Sequence, residues 1–438
     1  MNRERQQVSR REFLASSAAL PLAAGVITIP GVARGAWAGG SDTIKVGVVG
    51  CGGRGTGAAA QAVRADPGCV LWSIGDVFQD RVESSYQSLT QEVFKDTPER
   101  VQVPAERRFT GFDAYKQVID SGVDYVVLTS YPNFRPAHLA YAIERRKHVF
   151  AEKPVAVDAV GSRSILASAA LAKAANLGLL VGFCWRYHDG MRAVFERVNA
   201  GEIGEITSVH TTYHGGTLPK RPRQAGWSDL EFQMRNWWHF TWISGDHIVE
   251  QAIHSVDRMA WALNDRVPKQ VICLGGRAAR SGPEHGDSYD HFAAIYEYDN
   301  GIRAHHTCRQ IDNLPADNTD YIYGTKGRAV VNGFGGVFKL YDYKGNETWA
   351  FKGRSRDMYQ AEHDEMLASI RAGTPINDAE RSTRSNLMGI MGRMAAYSGR
   401  TVTWDHAMNS QENLQPATLE WGPMPTPEVA IPGKYKLI

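Results

Sequence analysis

The sequence has few of the features that mark several common classes of protein. No run of lysine and arginine is long enough to follow a phosphate backbone, and the formal net charge is only +2. Nucleic-acid binding needs a concentrated basic surface, so the charge gives no sign of such a partner. Hydrophobic residues make up 43% and charged residues 22%, which are ordinary globular values. No internal repeat is evident, and the expected partners are small molecules.

Cysteine is also scarce. The 438 residues contain only 5 cysteines, an odd number without the spacing of metal ligands. A disulfide scaffold is therefore not indicated. Free, buried thiols are expected at Cys51, Cys69, Cys184, Cys273 and Cys308.

The N-terminal segment resembles a twin-arginine export signal. Arg10 and Arg11 precede an uncharged apolar run over residues 15–30, and the small residues Ala36 and Ala38 fit a cleavage site. The sequence predicts a signal over residues 1–38 and an exported, periplasmic or extracytoplasmic protein. The run is short for a membrane span, so no stable span is expected after cleavage. An uncleaved anchor and a chance arginine pair remain the alternatives.

A glycine-rich loop follows the first predicted strand, at residues 43–49. Gly50, Gly52 and Gly55 form the pattern G-x-G-x-x-G and lead into an alanine-rich predicted helix. The first glycine permits the tight turn, the second lets the backbone approach a pyrophosphate, and the third allows close helix packing. The helix N-terminus also favours an anion. The loop, including Gly53 and Arg54, is therefore a predicted dinucleotide site.

The second predicted strand, at residues 70–76, ends in Asp76. A carboxylate there typically binds the ribose 2′-hydroxyl of NAD and repels the 2′-phosphate of NADP. NAD is therefore favoured. NADP stays possible because Arg81 offers a guanidinium nearby, and a helix N-cap is the structural alternative for Asp76.

Strands and helices continue to alternate, with strands at 125–130 and 149–151 around a helix at 137–146. Such alternation predicts a parallel, doubly wound sheet, and ligands bind beyond the carboxyl ends of its strands. The further predicted cofactor-binding residues are those that follow strand ends: Ser130, Pro132, Asn133, Glu152 and Lys153.

These motifs, together with Glu250-x-x-x-His254-x-x-Asp257, resemble in order and spacing the Gfo/Idh/MocA family of glucose-fructose oxidoreductases, inositol dehydrogenases and rhizopine-catabolism enzymes. The resemblance covers residues 43–405. It implies an α/β fold in which an N-terminal Rossmann domain at 43–184 precedes a C-terminal α/β domain at 185–405, built on an open, mostly antiparallel sheet. Residues 406–438 are expected to form an extended tail, which in a homo-oligomer could lie on a neighbouring chain.

The resemblance also implies catalytic roles for Lys153, His254 and Glu250. Lys153 corresponds to the lysine that contacts substrate and nicotinamide ribose, and His254 to the proton acceptor. Glu250 replaces the family's usual aspartate. Oxidation of a secondary alcohol needs such a base, while a nearby ammonium stabilises the developing alkoxide and lowers the histidine pKa. The alternative for Lys153 is a surface salt bridge.

The substrate-binding candidates lie in the second half of the chain. Arg186 matches a family arginine at the entry to the second domain, and Tyr187 follows it. At 100° per residue, a helix through residues 247–257 would place His247, Glu250, His254 and Asp257 on one face, either lining a site or facing solvent. His247, Glu250 and His254 would also permit a metal site, although none is expected. Trp238, which could stack on a sugar or fill the core, and Arg309 complete the candidates.

The sequence therefore favours an NAD(P)-dependent oxidoreductase acting on a secondary hydroxyl of a sugar or polyol. Export separates such a protein from the cytoplasmic dinucleotide pool, so the cofactor is expected to be tightly bound. A redox-neutral, NAD-dependent glycosidase or lyase that oxidises the sugar transiently is the first alternative. A non-catalytic carbohydrate-binding protein is the second.

Overall fold

The first part of the chain alternates between buried strands and helices. The computed structural model describes residues 42–438, so the predicted signal at 1–38 lies outside the described residues. The strands are β1 (Ile44–Val49), β2 (Cys69–Asp76), β3 (Arg108–Thr110), β4 (Tyr125–Leu128), β5 (His148–Ala151) and β6 (Leu179–Val181). The helices are α1 (Gly53–Arg64), α2 (Gln79–Ser88), α3 (Ala114–Asp120), α4 (Arg135–Glu144) and α5 (Ala159–Ala174).

These strands form a six-stranded sheet of order β3-β2-β1-β4-β5-β6. All five neighbouring pairs are parallel. β4 is fully buried, as a strand covered on both faces by helices should be. The strand order reverses direction between β1 and β4, which opens a crevice at their carboxyl ends. The Rossmann prediction is confirmed.

A larger sheet dominates the second part. Its strands are β7 (Ile206–Gly215), β8 (Gln270–Gly276), β9 (His291–Glu297), β10 (Arg303–Gln310), β11 (Asp320–Gly324), β12 (Gly327–Asn332), β13 (Val337–Asp342), β14 (Glu347–Ala350) and β15 (Val402–Thr403). They form one nine-stranded sheet of order β14-β13-β12-β11-β7-β10-β9-β8-β15. Only β7 and β10 pair in parallel. The predicted open, mostly antiparallel sheet is confirmed.

In the described part of the chain, eight helices accompany this sheet, and some of them also contact the Rossmann domain. The eight helices are α6 (Asp189–Asn199), α7 (Asp229–Arg235), α8 (Thr241–Ser244), α9 (His247–Glu250), α10 (Ile253–Ala262), α11 (Met358–Arg371), α12 (Ala379–Ser398) and α13 (Trp404–Asn409). The almost wholly buried α12 packs on α5 of the first domain and on β8 of the second. Among the residues described, no helix is long and apolar enough to cross a membrane.

The helix predicted to carry four polar residues on one face is interrupted. α9 ends at Glu250 and α10 begins at Ile253, with a turn at Gln251 and Ala252 between them. The N–H of Ala252 donates to the carbonyl of His247, five residues back, instead of continuing the regular ladder. A projection at 100° per residue therefore fails across this turn.

The C-terminal tail packs on its own chain. Gln233 donates from its side-chain amide to the carbonyl of Met424, and the N–H of Leu414 donates to Asp158. Trp421 contacts the rings of Phe78 and Phe112, with centroids 5.6 and 5.0 Å away. The tail thereby joins the Rossmann domain to helix α7. All five cysteines are buried and unpaired, as expected.

A buried ion pair fixes α10 to the large sheet. Arg258 donates from Nε to Oδ2 of Asp320 on β11 at 2.5 Å, and both side chains are only 1% exposed. Removing one partner leaves an uncompensated buried charge.

We expect Asp320→Ala to lower the free energy of unfolding by about 3–5 kcal/mol, because Arg258 would then lack its carboxylate partner. Urea titration followed by circular dichroism measures the change. Glu380→Ala is the matched control. It breaks the exposed Glu380–Arg384 pair, which is worth at most about 1 kcal/mol. Equal effects of the two substitutions would contradict the prediction.

Candidate active site

A cavity of about 530 Å³ opens along the carboxyl ends of β1, β4 and β5 and is closed by the second domain. Its volume falls within the roughly 300–1,000 Å³ of ligand pockets. The predicted site residues that line it are Gly50, Gly52, Gly53, Arg54, Gly55, Asp76, Ser130, Glu152, Lys153, Trp238, Glu250 and His254. Residues separated by up to about 200 positions thus meet in one place, with both domains contributing.

The glycine loop has the shape that a pyrophosphate needs. Gly50 has φ of +101°, and a Cβ there would lie 2.5 Å from the backbone nitrogen of Ser130. A Cβ on Gly55 would lie 1.8 Å from the carbonyl oxygen of Gly50. Helix α1 begins at Gly53 without a side-chain cap or an acidic residue in its first turn. Its N-terminus is therefore available to an anion.

Asp76 and Arg81 both line the cavity beside this loop. Asp76 accepts from the N–H of Cys51 at 2.7 Å and from the N–H of Phe78 at 2.9 Å. Burial raises its pKa above the ordinary 3.8. It is not the N-cap of α2, because Phe78 occupies that position. Nε of Arg81 is buried and has no hydrogen-bond partner, so this guanidinium could donate to a bound ligand.

The side chain of Arg54 has protein partners. Its Nε donates to Glu152 at 2.5 Å, and its Nη2 donates to Glu362 of α11 at 3.1 Å. The guanidinium therefore joins the glycine loop to the strand end before Lys153 and to the second domain. Arg54 lines the cavity, but its positive charge is already paired with these two carboxylates.

Three polar side chains face each other where the domains meet. Lys153 donates from Nζ to the backbone oxygen of Glu250 at 2.7 Å and lies 3.4 Å from its Oε1. Oε2 of Glu250 and Nδ1 of His254 are buried without a hydrogen-bond partner. Burial, followed by the positive charges of Lys153 and Arg258, lowers the pKa of His254 well below its ordinary 6.5. The imidazole is therefore neutral at neutral pH, and one of its ring nitrogens can accept a hydrogen bond.

The structure does not bring Arg186 and Asp257 to the cavity. Arg186 donates from Nε and Nη2 to the two carboxylate oxygens of Asp257, both at 2.8 Å, and also to Asp265. Asp257 further accepts from Ser385 of α12. The two predicted substrate ligands instead form a buried ion pair beneath the site, where their charges satisfy one another.

His247 likewise lies outside the cavity, because of the interruption between α9 and α10. It is 1% exposed and lies against the carbonyl of Tyr289 and the ring of Phe292. The alternative metal site would have needed it beside Glu250 and His254. Within residues 42–438, no group of three or more His, Cys, Asp or Glu side chains is placed to hold a metal ion.

Four further predicted residues are not among those that line the cavity. Asn133 is 1% exposed and bonds the carbonyl of Trp242. Pro132 begins the same buried turn, and Tyr187 is buried at 5% exposure. Arg309 donates to the carbonyl of Pro315 at its strand end. In each case the backbone around the residue lies near a sheet edge, but the side chain is used for packing or for a local hydrogen bond.

Several lining residues were not selected from the sequence. Gln251 donates from Nε2 to the hydroxyl of Tyr213 at 2.9 Å, and both line the cavity. Tyr213 belongs to β7, whose Thr- and His-rich sequence gave no strand prediction. Gln251 lies in the turn between α9 and α10. The other unselected polar or aromatic residues include Phe112, Tyr115, Arg135, Trp185, Arg221, Phe334 and Tyr359.

A Rossmann sheet with a glycine-closed anion loop, joined to an antiparallel domain that completes the pocket, defines the class of two-domain dinucleotide-binding proteins. The chain belongs to the Gfo/Idh/MocA family. The model described as "Oxidoreductase family, NAD-binding Rossmann fold" matches residues 44–183. The model of the GFO/IDH/MocA C-terminal domain matches residues 191–330. Together the two models cover more than half of the chain.

The chain matches part of the length of each of two curated relatives. The chain is 27% identical over 262 residues to inositol 2-dehydrogenase 3 of Saccharopolyspora erythraea, which covers 60% of this chain and 65% of that protein. It is 27% identical over 206 residues to 2,7-anhydro-N-acetylneuraminate hydratase of Escherichia coli, covering 47% and 50%. The chain thus spans about half to two thirds of these relatives.

Solved structures share the fold. The aldose-aldose oxidoreductase from Caulobacter crescentus superimposes with a TM-score of 0.64 at 18% identity, covering 82% of this chain and 99% of that one. The scyllo-inositol dehydrogenase from Lactobacillus casei gives 0.61 at 19% identity, covering 82% and 98%. These likenesses extend the agreement in fold over both domains.

We expect the imidazole of His254 to titrate below pH 6.5, since burial and two positive neighbours oppose its protonation. Lys153→Met removes one of those charges and should raise the pKa part of the way back. Histidine NMR, with the signal assigned by His254→Gln, measures both titrations. Lys95→Met, an exposed lysine, should leave the titration unchanged. A wild-type midpoint at or above 6.5 would contradict the prediction.

Proposed function

We propose that this protein is an NAD(P)-dependent oxidoreductase that acts on a secondary hydroxyl of a sugar or polyol. The observation that carries the proposal is the meeting of Lys153, Glu250 and His254 in the same cavity as the glycine loop. Inositol 2-dehydrogenases among the relatives support this substrate class.

A bound nicotinamide would supply the hydride acceptor, and the side chains would handle the proton. The neutral imidazole of His254 takes the hydroxyl proton as the hydride leaves the same carbon. The ammonium of Lys153, only 13% exposed, stabilises the developing alkoxide in a partly dry site. Glu250 holds that ammonium in place and balances its charge. The three residues thus divide the roles of base, electrostatic stabiliser and positioning group.

NAD is the favoured dinucleotide. The buried carboxylate of Asp76, at the end of β2, would accept a ribose hydroxyl and disfavour a 2′-phosphate. Arg81, with its unpartnered Nε, supports NADP as the second choice. The mass of the dinucleotide that co-purifies with the protein distinguishes them.

The dinucleotide is proposed to be held tightly and to travel with an exported protein. The Arg10-Arg11 motif supports export to the periplasm or beyond, where no free dinucleotide pool exists. Retention is supported by the tail, since Trp421 packs against Phe112 of the cavity wall. Fractionation of the native host, followed by cofactor analysis of the periplasmic protein, tests location and retention together.

The proposal predicts that suitable sugars or polyols reduce the bound cofactor, with an absorbance increase near 340 nm. Lys153→Ala and His254→Ala should each slow this reduction by about a hundredfold or more while leaving the dinucleotide bound. Lys269→Ala and His406→Ala are matched controls, because both residues are exposed and neither lines the cavity. Unchanged rates in the first pair would overturn the catalytic assignment.

A redox-neutral reaction is the second candidate, and the hydratase among the relatives favours it. Here the sugar would be oxidised, lose a leaving group by elimination and be reduced again, so the dinucleotide returns to its starting state. Glycoside cleavage without net reduction of the cofactor supports this candidate. Reduction that turns over only when a keto-sugar acceptor is added supports the oxidoreductase.

Trp421→Ala should release the dinucleotide about tenfold faster, because it removes two ring contacts worth roughly 0.5–1.5 kcal/mol each. Stopped-flow chase with excess unlabelled dinucleotide measures the release. Tyr343→Ala is the control, since Tyr343 is an exposed aromatic residue outside the cavity. Equal release from both variants would show that the tail does not retain the cofactor.

A further inference from the structure

A second cavity, of about 490 Å³, adjoins the first. It lies between the carboxyl ends of β7 and β10 and the loop after β12. Its residues are Tyr213, His214, Gly215, Gly216, Leu218, Gln251, Gln310, Ala316, Asp317, Asn318, Asn332, Phe334 and Gly335. Tyr213, Gln251 and Phe334 line both cavities. The two cavities therefore share a wall, and a ligand that fills the first cavity lies next to the second.

The second cavity combines apolar surface with several polar side chains. None of its lining residues is a lysine or arginine, so it offers no partner to a phosphate or carboxylate group. The two oxygens of Asp317 already accept from the hydroxyls of Thr212 and Thr319. What remains are side-chain amides, the hydroxyl of Tyr213 and the imidazole of His214, which are groups that can bind neutral, polyhydroxylated ligands.

Gln310 supplies an unused donor in this cavity. The side chain is 3% exposed, and its Oε1 accepts from Arg280. The amide nitrogen Nε2 is buried and has no hydrogen-bond partner. An unsatisfied buried donor costs about 1–3 kcal/mol. A ligand hydroxyl in the second cavity would satisfy it.

Phe334 adds an apolar surface at the junction. Its side chain is 70% exposed, unusual for a large aromatic residue, and its ring meets the edge of Trp185 at 5.2 Å. A Cβ on the preceding Gly333 would lie 2.2 Å from Trp185, so the loop depends on glycine to approach that ring. An exposed ring held beside polar groups suits the C–H face of a pyranose.

We propose that the second cavity is a subsite for a second, uncharged sugar unit, so that the substrate is a glycoside such as a disaccharide. This inference rests on the proposed function. One sugar is oxidised beside Lys153 and His254, while its neighbour is held by Gln310 and Phe334. Gln251 and Tyr213, bonded to each other at 2.9 Å, border both units and lie at the level of the linkage.

The test compares mono- and disaccharides on the protein with its own bound cofactor. For each monosaccharide that reduces the cofactor, its methyl glycoside is compared with disaccharides that contain the same unit, such as cellobiose, maltose and lactose. We expect at least one disaccharide to reach half-maximal reduction at about a tenfold lower concentration than the methyl glycoside.

Ala316→Trp places a bulky ring at an exposed residue that lines only the second cavity. It should abolish the disaccharide advantage, with the methyl glycoside as the reference in the same variant. Phe334→Ala should weaken that advantage as well. Leu274→Trp, at a position that is 74% exposed and outside both cavities, is the matched control and should retain it. Circular dichroism and cofactor content check that each variant is folded.

The outcomes separate the two proposals. If sugars reduce the cofactor but no disaccharide has an advantage, or if Ala316→Trp keeps it, the subsite is overturned and the proposed function stands. If no sugar or polyol produces either cofactor reduction or cleavage, both are overturned.

Discussion

The contact between Lys153 and the backbone oxygen of Glu250 is the constraint on which the candidate site depends. Lys153 follows β5 of the Rossmann sheet, whereas Glu250 ends α9 in the second domain. In an unbroken helix that carbonyl would accept from the N–H of His254. The turn at Gln251 and Ala252 interrupts this ladder, leaves the carbonyl to the ammonium and directs His254 to the cavity. One local irregularity therefore creates both the domain contact and the placement of His254.

A second link runs through Arg54 and connects cofactor binding to the same place. The arginine belongs to the glycine loop, yet it bonds Glu152, the residue before Lys153, and Glu362 of α11. Arg54 is the shared cation of these two carboxylates, and burial together with the negative charge of Glu152 raises the pKa of Glu362 well above its ordinary 4.5. The ion pairs of Arg54 thus connect the glycine loop, the strand end before Lys153 and the second domain, and Glu152 also accepts from the backbone N–H of Lys153.

Features that depend on local sequence could be predicted. The glycine loop, the alternating strands and Lys153 after a strand end all follow from short-range rules, and they meet in one cavity. Arg186 and Asp257 could not be placed in this way, because a charged side chain is equally suited to a ligand and to a buried partner, and the partner was distant in sequence. β7 was not predicted because six of its ten residues are Thr, Ser or His rather than apolar residues. Gln251 was missed because the helix projection assumed an unbroken helix.

A tightly bound dinucleotide, as proposed, and a divided pocket would make compatible demands on the protein. If the cofactor stays bound, each reduction must be reversed by chemistry in the same cavity, either on a second substrate or on the same sugar after it has lost a group. Both routes need space beyond the oxidised ring, for an acceptor in the first case and for a departing group in the second. The adjoining cavity provides that space across the wall formed by Tyr213 and Gln251. Nε2 of Gln310 has no hydrogen-bond partner there, and Phe334 is exposed. Trp421 of the tail contacts Phe112 and Phe78 instead, so the proposed retention of the cofactor and the proposed binding of a second sugar would use different parts of the fold.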